Sequence, residues 1–97
     1  MLYENLSVNQ AGHLCFAGYD TVELAREYGT CLMLMDEAAI RSRCREYIAA
    51  MQAYLPAGSR PLYASKALSC KRIYEIMAEE GMGIDVVSAG ELHTAIR

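Results

Sequence analysis

The sequence predicts an α/β chain built on a parallel sheet. Short, continuously apolar runs alternate with segments of helical period, the links between them are only a few residues long, and each helical segment opens on a capping residue and closes on glycine or proline. Strand-helix repeats joined by short links require right-handed crossovers, and these place successive strands parallel.

The elements follow in order. His13 to Tyr19 reads as a lone strand. Asp20 or Thr21 then caps a short helix ended by Gly29, with Asp20 and Glu23 at capping-box spacing. Thr30 to Asp36 is an unbroken apolar run of the kind found in strands covered on both faces. From Glu37 the period changes: Ile40, Cys44, Tyr47, Ile48, Met51 and Leu55 recur at helical spacing among charged residues. Asp36 is the expected N-cap of this helix, and Pro56-Ala57-Gly58 its stop.

A second unit repeats the plan. Pro61 opens a strand running to about Ser65, a position where a strand tolerates proline. Ser69 is the expected cap of a helix with Ile73, Ile76 and Met77 on its buried stripe and Gly81 or Gly83 at its end. Lys71 and Arg72 in its first turn and Glu79 and Glu80 in its last run against the helix dipole; they read as exposed charges on a helix held by packing. Ile84 to Val87 forms a third strand, and Ser88 with Glu91 a capping box for the helix that reaches Arg97. Three strands leave an open sheet edge, so the sequence is expected to be the front of a longer product.

Composition narrows the function. The chain has 97 residues, the size of one small domain, and its 54% hydrophobic share is high for one standing free. No run approaches the roughly 20 apolar residues of a membrane span, and the N-terminus lacks the basic and apolar regions of a secretion signal. The expectation is a cytoplasmic protein. A net charge of −3 offers no electrostatic reason to bind nucleic acid or an anionic membrane. Cys15, Cys31, Cys44 and Cys70 form no C-x-x-C pair, and together with His13 and His93 they are read as showing no metal-site spacing; the cysteines read as small buried hydrophobes.

One residue stands out chemically. In Leu62-Tyr63-Ala64-Ser65-Lys66-Ala67-Leu68 a single lysine ends an apolar strand just ahead of a helix. A lysine kept from water sheds its proton readily, and the free amine attacks carbonyl carbon to form a Schiff base. Taken without its neighbours, such a lysine is most often an ordinary strand-end residue reaching solvent.

Four blocks tie this lysine to a family. They are Phe16 to Asp20 with Glu23-Leu24-Ala25 and Tyr28-Gly29-Thr30; Asp36-Glu37 with Ile40-Arg41; Tyr63 to Cys70 around Lys66; and Glu79 to Ser88 with Gly90-Glu91-Leu92. In order and spacing the chain resembles the N-terminal part of the diaminopimelate decarboxylase family, pyridoxal-phosphate enzymes of the alanine-racemase-like, fold-type III group. It departs at Cys31, where the family usually has proline, and at Ala89, where it has a second glycine.

The resemblance implies the opening βα units of a (β/α)8 barrel preceded by a segment of a β-rich second domain. Residues 1–29 would associate with the β domain, and residues 30–97 would be the first, incomplete part of the cofactor-binding barrel. It implies pyridoxal 5′-phosphate as cofactor, Lys66 as the catalytic lysine that carries it, and Ala64 and Asp85 beside the cofactor. Asp85 also has a structural reading, as an acid bonding backbone amides of a neighbouring loop. Glu91 is explained by its cap, and His93 reads as a surface histidine. The implied reaction is decarboxylation of meso-2,6-diaminopimelate, an amino-acid substrate, to L-lysine and CO2, in a parent enzyme that is a homodimer. The phosphate-binding glycines and the acid that pairs with the pyridine nitrogen lie further along the family's sequence, so the 97 residues alone are expected to be inactive. Competing readings are a sister decarboxylase acting on ornithine, arginine or a carboxylated polyamine, and a non-catalytic pyridoxal-phosphate carrier.

Overall fold

The computed structural model describes residues 3–97. The chain divides into two compact units, Met1–Ala39 and Ile40–Arg97.

The first unit is a three-stranded antiparallel meander followed by a helix. Strands β1 (Leu6–Val8), β2 (Leu14–Phe16) and β3 (Tyr19–Asp20) pair in that order, with Ser7 opposite Cys15 and Phe16 opposite Tyr19. The lone strand expected over His13 to Tyr19 is therefore two strands. The chain reverses at Ala17 and Gly18, both at positive φ (51° and 85°), the backbone signature of a tight hairpin whose twist matches its strands. Asn9 organises the preceding turn: its Oδ1 accepts from the Ala11 and His13 amides, both at 3.0 Å.

Asp20 closes β3 and caps helix α1 (Thr21–Tyr28), its carboxylate accepting from the Val22 and Glu23 amides. Gly29 ends α1 at φ 84°, a conformation that costs glycine no Cβ clash. The run from Thr30 to Asp36 does not become the expected strand. Extended chain joins a sheet only where a neighbour answers its amides and carbonyls. No strand among the described residues pairs with it, and Met33 and Met35 stand exposed. Asp36 fulfils its capping role, accepting from the Ala39 amide at 3.1 Å as helix α2 (Glu37–Tyr54) begins.

The second unit carries the parallel βα pattern. Strand β4 (Leu62–Ala64) pairs in parallel with β5 (Gly83–Asp85), so that Leu62, Tyr63 and Ala64 lie opposite Gly83, Ile84 and Asp85. Between them, helix α3 (Lys71–Glu79) makes the crossover, and helix α4 (Ala89–Ile96) follows β5. The core gathers Ile73, Tyr74, Ile76 and Met77 of α3 with Cys44 of α2 and Met82, while Ile40, Ile48, Tyr63 and Ile84 pack against it. The predicted stripe of α3 is thus the buried face, with Tyr74 added. Tyr47 and Leu55 of the α2 pattern stay exposed.

Two local expectations are corrected here. Helix α3 starts at Lys71 with Cys70 as an N-cap that offers no side-chain bond. Ser69 is drawn away from capping because its hydroxyl meets the buried Tyr74 hydroxyl at 2.8 Å, a polar tip that needs a partner. The charges at the ends of α3 also serve more than solvation. Glu79 and Glu80 pair with Arg41, and Glu80 with Arg45, tying the end of α3 to the first half of α2.

The capping box before α4 forms in full: Ser88 Oγ accepts from the Glu91 amide at 3.1 Å, and Glu91 accepts from the Val87 and Ser88 amides. All four cysteines are free. Cys15 and Cys44 are buried as expected, Cys70 is half-buried, and Cys31 is exposed instead. Burial pushes the Cys44 thiol up, with Glu80 adding to the effect, which leaves it a small hydrophobe against Met77. Among the described residues no helix is long and apolar enough to cross a membrane.

Candidate active site

Lys66 lies in a short 3-10 turn, Ser65–Ala67, that leaves the C-terminal end of β4. That end is where parallel α/β barrels assemble their chemistry, because the loops there vary while the strands hold them. The side chain is exposed, not kept from water as the sequence argument expects, and makes no hydrogen bond or ion pair among the described residues. Lys71 differs: its ammonium lies 4.0 Å from Glu75, one turn along the same helix face.

Register brings Ala64 and Asp85 together as ladder partners at the ends of β4 and β5. Asp85 is exposed at the strand terminus rather than enclosed, and its carboxylate makes no hydrogen bond among the described residues. The alternative reading, an acid engaged with loop amides, therefore finds no such bond there. Its backbone carbonyl is engaged instead, accepting from Ser65 Oγ at 2.8 Å. Ser65 is fully buried. Beyond the lysine, Tyr63 donates its hydroxyl to the Leu68 carbonyl at 2.9 Å, and burial holds that phenol above its ordinary range.

The sequence places Ser65 and Tyr63 in the lysine block, but nothing local shows that their hydroxyls reach backbone twenty and five residues away, respectively. Glu91 is occupied by its cap, and His93 is exposed.

The structure makes one further polar cluster, in the first unit. His13, Asp20 and Glu23 bring their ligand atoms within 4.8 Å of one another. Asp20 holds this group together: His13 Nδ1 donates to Oδ2 at 2.9 Å, Asn9 donates to the same oxygen at 2.8 Å, and Oδ1 caps α1. The His13 bond lowers the Asp20 carboxyl to about 2, helped by the Glu23, Asn9 and Val22 donors and opposed by partial burial. The cluster is accounted for as a helix cap.

An amine meant to capture an aldehyde must be reachable and free of a carboxylate that would hold it as ammonium. Lys66 meets both conditions, whereas Lys71 is exposed but has the Glu75 carboxylate 4.0 Å away, so the donor set fits a carbonyl cofactor at Lys66. Ala64, with its small side chain, is exposed beside it at the strand end.

Parallel βα units with an unpaired lysine at a strand end fit the opening of a fold-type III pyridoxal enzyme. The chain belongs to the pyridoxal-dependent decarboxylases: residues 37–97 match the family described as "Pyridoxal-dependent decarboxylase, pyridoxal binding domain". Curated relatives are diaminopimelate decarboxylases. That of Halalkalibacterium halodurans is 47% identical over 90 residues, covering 91% of this chain and 20% of the relative. That of Bacillus subtilis is 44% identical over 90 residues, with the same 91% and 20% shares. The crystal structure of diaminopimelate decarboxylase from M. jannaschii superposes with a TM-score of 0.84 at 33% identity, covering 96% of this chain and 22% of that one. The same enzyme in co-complex with L-lysine gives a TM-score of 0.82. The chain thus spans 20–22% of the length of these relatives.

Proposed function

We propose that this chain supplies the lysine-bearing opening of a diaminopimelate decarboxylase, which converts meso-2,6-diaminopimelate to L-lysine and CO2. One observation carries the reading: Lys66 stands unpaired at the C-terminal end of a parallel strand, beside the ladder pair Ala64 and Asp85. The relatives' shared name supports the substrate, and the solved neighbour holding L-lysine contains the amino acid this reaction releases.

In this reading pyridoxal 5′-phosphate, when bound, supplies the electron sink that makes loss of CO2 feasible. Lys66 Nζ holds the cofactor and serves as the nucleophile in its unprotonated form. Ala64 and Asp85, paired at the ends of β4 and β5, stand beside the cofactor. Residues 1–29 belong with the parent's β-rich domain and residues 30–97 open its barrel. The parent works as a cytoplasmic homodimer, and the remainder of the barrel completes the site.

Borohydride reduction of the full-length protein loaded with pyridoxal phosphate, followed by peptide mapping, tests the assignment. The label is expected on Lys66, and Lys66→Ala abolishes both the label and CO2 release. Label on Lys71, or a protein that takes up no cofactor, overturns it.

A further inference from the structure

We propose that Ser65 and Tyr63 are positioning residues that set where the Lys66 amine emerges, an inference that rests on the function proposed above. The lysine is bracketed in sequence by two bonds from side chains to backbone. Before it, the fully buried Ser65 donates Oγ to the Asp85 carbonyl at 2.8 Å, joining the first residue of the lysine turn to the last residue of the neighbouring strand. After it, the segment returns so that the Leu68 carbonyl accepts from the Tyr63 hydroxyl at 2.9 Å. The three-residue turn is thereby closed at both ends, while the Lys66 side chain itself is left unbonded among the described residues.

This division of labour suits a nucleophile. A lysine side chain has four rotatable carbons and locates its amine poorly unless its Cα is fixed. Anchoring the backbone on both sides narrows the volume the amine samples without taking any of its hydrogen-bonding capacity. Misplacing a reacting group by about 1 Å costs on the order of a hundredfold in rate. Ser65 is the buried polar residue among the described residues, and the bond to the Asp85 carbonyl is what satisfies its hydroxyl there.

The test uses the full-length protein loaded with pyridoxal phosphate and compares Ser65→Ala, Ser65→Thr and Tyr63→Phe with the parent. Three quantities are read: the pH midpoint of the bound cofactor's visible absorption, the rate of borohydride fixation at Lys66, and kcat beside KM. Ser65→Ala and Tyr63→Phe are expected to shift the absorption midpoint and to lower kcat about ten- to a hundredfold with KM changed far less. Ser65→Thr, which keeps the hydroxyl, restores the parental midpoint. Variants that lose only thermal stability while midpoint, fixation rate and kcat stay parental overturn the inference. Should Ser65→Ala fail to fold, Tyr63→Phe decides, since it removes a single oxygen and keeps the ring. Label absent from Lys66 in the unaltered protein sinks the proposed function, whereas label at Lys66 with parental variants sinks this inference alone.

Discussion

Arg45 grips Glu80 with two parallel hydrogen bonds, Nε to Oε2 at 2.9 Å and Nη2 to Oε1 at 3.0 Å, while Arg41 donates to Oε1 at 2.9 Å. A planar fork meeting a carboxylate is the strong form of this contact, and it locks α2 to the end of α3 across 35 residues of sequence. The Glu80 side chain is 9% exposed, so the clamp is sheltered more than most surface pairs. The Arg45 and Arg41 bonds hold the Glu80 carboxyl below its ordinary 4.5, against the opposing effect of burial.

The sign of the resulting pH dependence follows from that lowered value. A carboxylate more acidic in the folded state contributes stability that is present above 4.5 and fades as the pH falls below it. Glu80→Gln is therefore expected to lower the thermal midpoint at pH 7, and the gap to the parent should close in acid. A gap that stays constant from pH 7 to pH 3 contradicts the clamp.

Asp20 offers an independent titration in the first unit. Its carboxyl sits at about 2 against an ordinary 3.8, chiefly through the bond from His13. Its contribution is complete above 3.8 and lost as the pH drops toward 2. Asn is as good an N-cap as Asp, so Asp20→Asn keeps the cap on α1 and removes the carboxylate oxygen that accepts from His13 and Asn9. Amide exchange at Val22 and Glu23 checks this: protection in the parent weakens through that range, and protection in Asp20→Asn is lower but flat.

Ile76 is 2% exposed and sits in the middle of the core cluster. Ile76→Ala leaves a cavity there and is expected to cost about 2–5 kcal/mol, with Ile76→Val costing about 0.5–1.5 kcal/mol. Urea denaturation measures both, and equal effects of the two variants would mean the site collapses around the loss.

The reciprocal cap at the start of α4 gives the fourth prediction. Ser88→Ala is expected to cost about 1 kcal/mol, while Ser88→Asp retains the acceptor and most of the stability. Urea unfolding of the two variants separates loss of the cap from loss of packing, since Ser88 is exposed.

Much of the chain is legible in its residue pattern. Ile73, Ile76 and Met77 announce their buried face by spacing, Asp36 and Ser88 announce their caps, and Lys66 announces a strand end by the switch of period around it. The signals that went unread were present but ambiguous. Gly18 after Ala17 marked a reversal inside what looked like one strand, and acids placed against the dipole of α3 marked a need for cations from elsewhere.

Residue order alone indicated the periodic faces and most helix ends, because each depends on groups within about four residues of one another along the backbone, whereas Lys66 became a candidate only through the four blocks that resemble the decarboxylase family. Folding in three dimensions settled the rest. Whether Thr30–Asp36 finds a ladder, which hydroxyl Ser69 meets, which arginines answer Glu80, and which carbonyl Ser65 reaches are matters of side chains brought together from distant segments. Such meetings depend on the packing of whole elements, and no local pattern of residues encodes them.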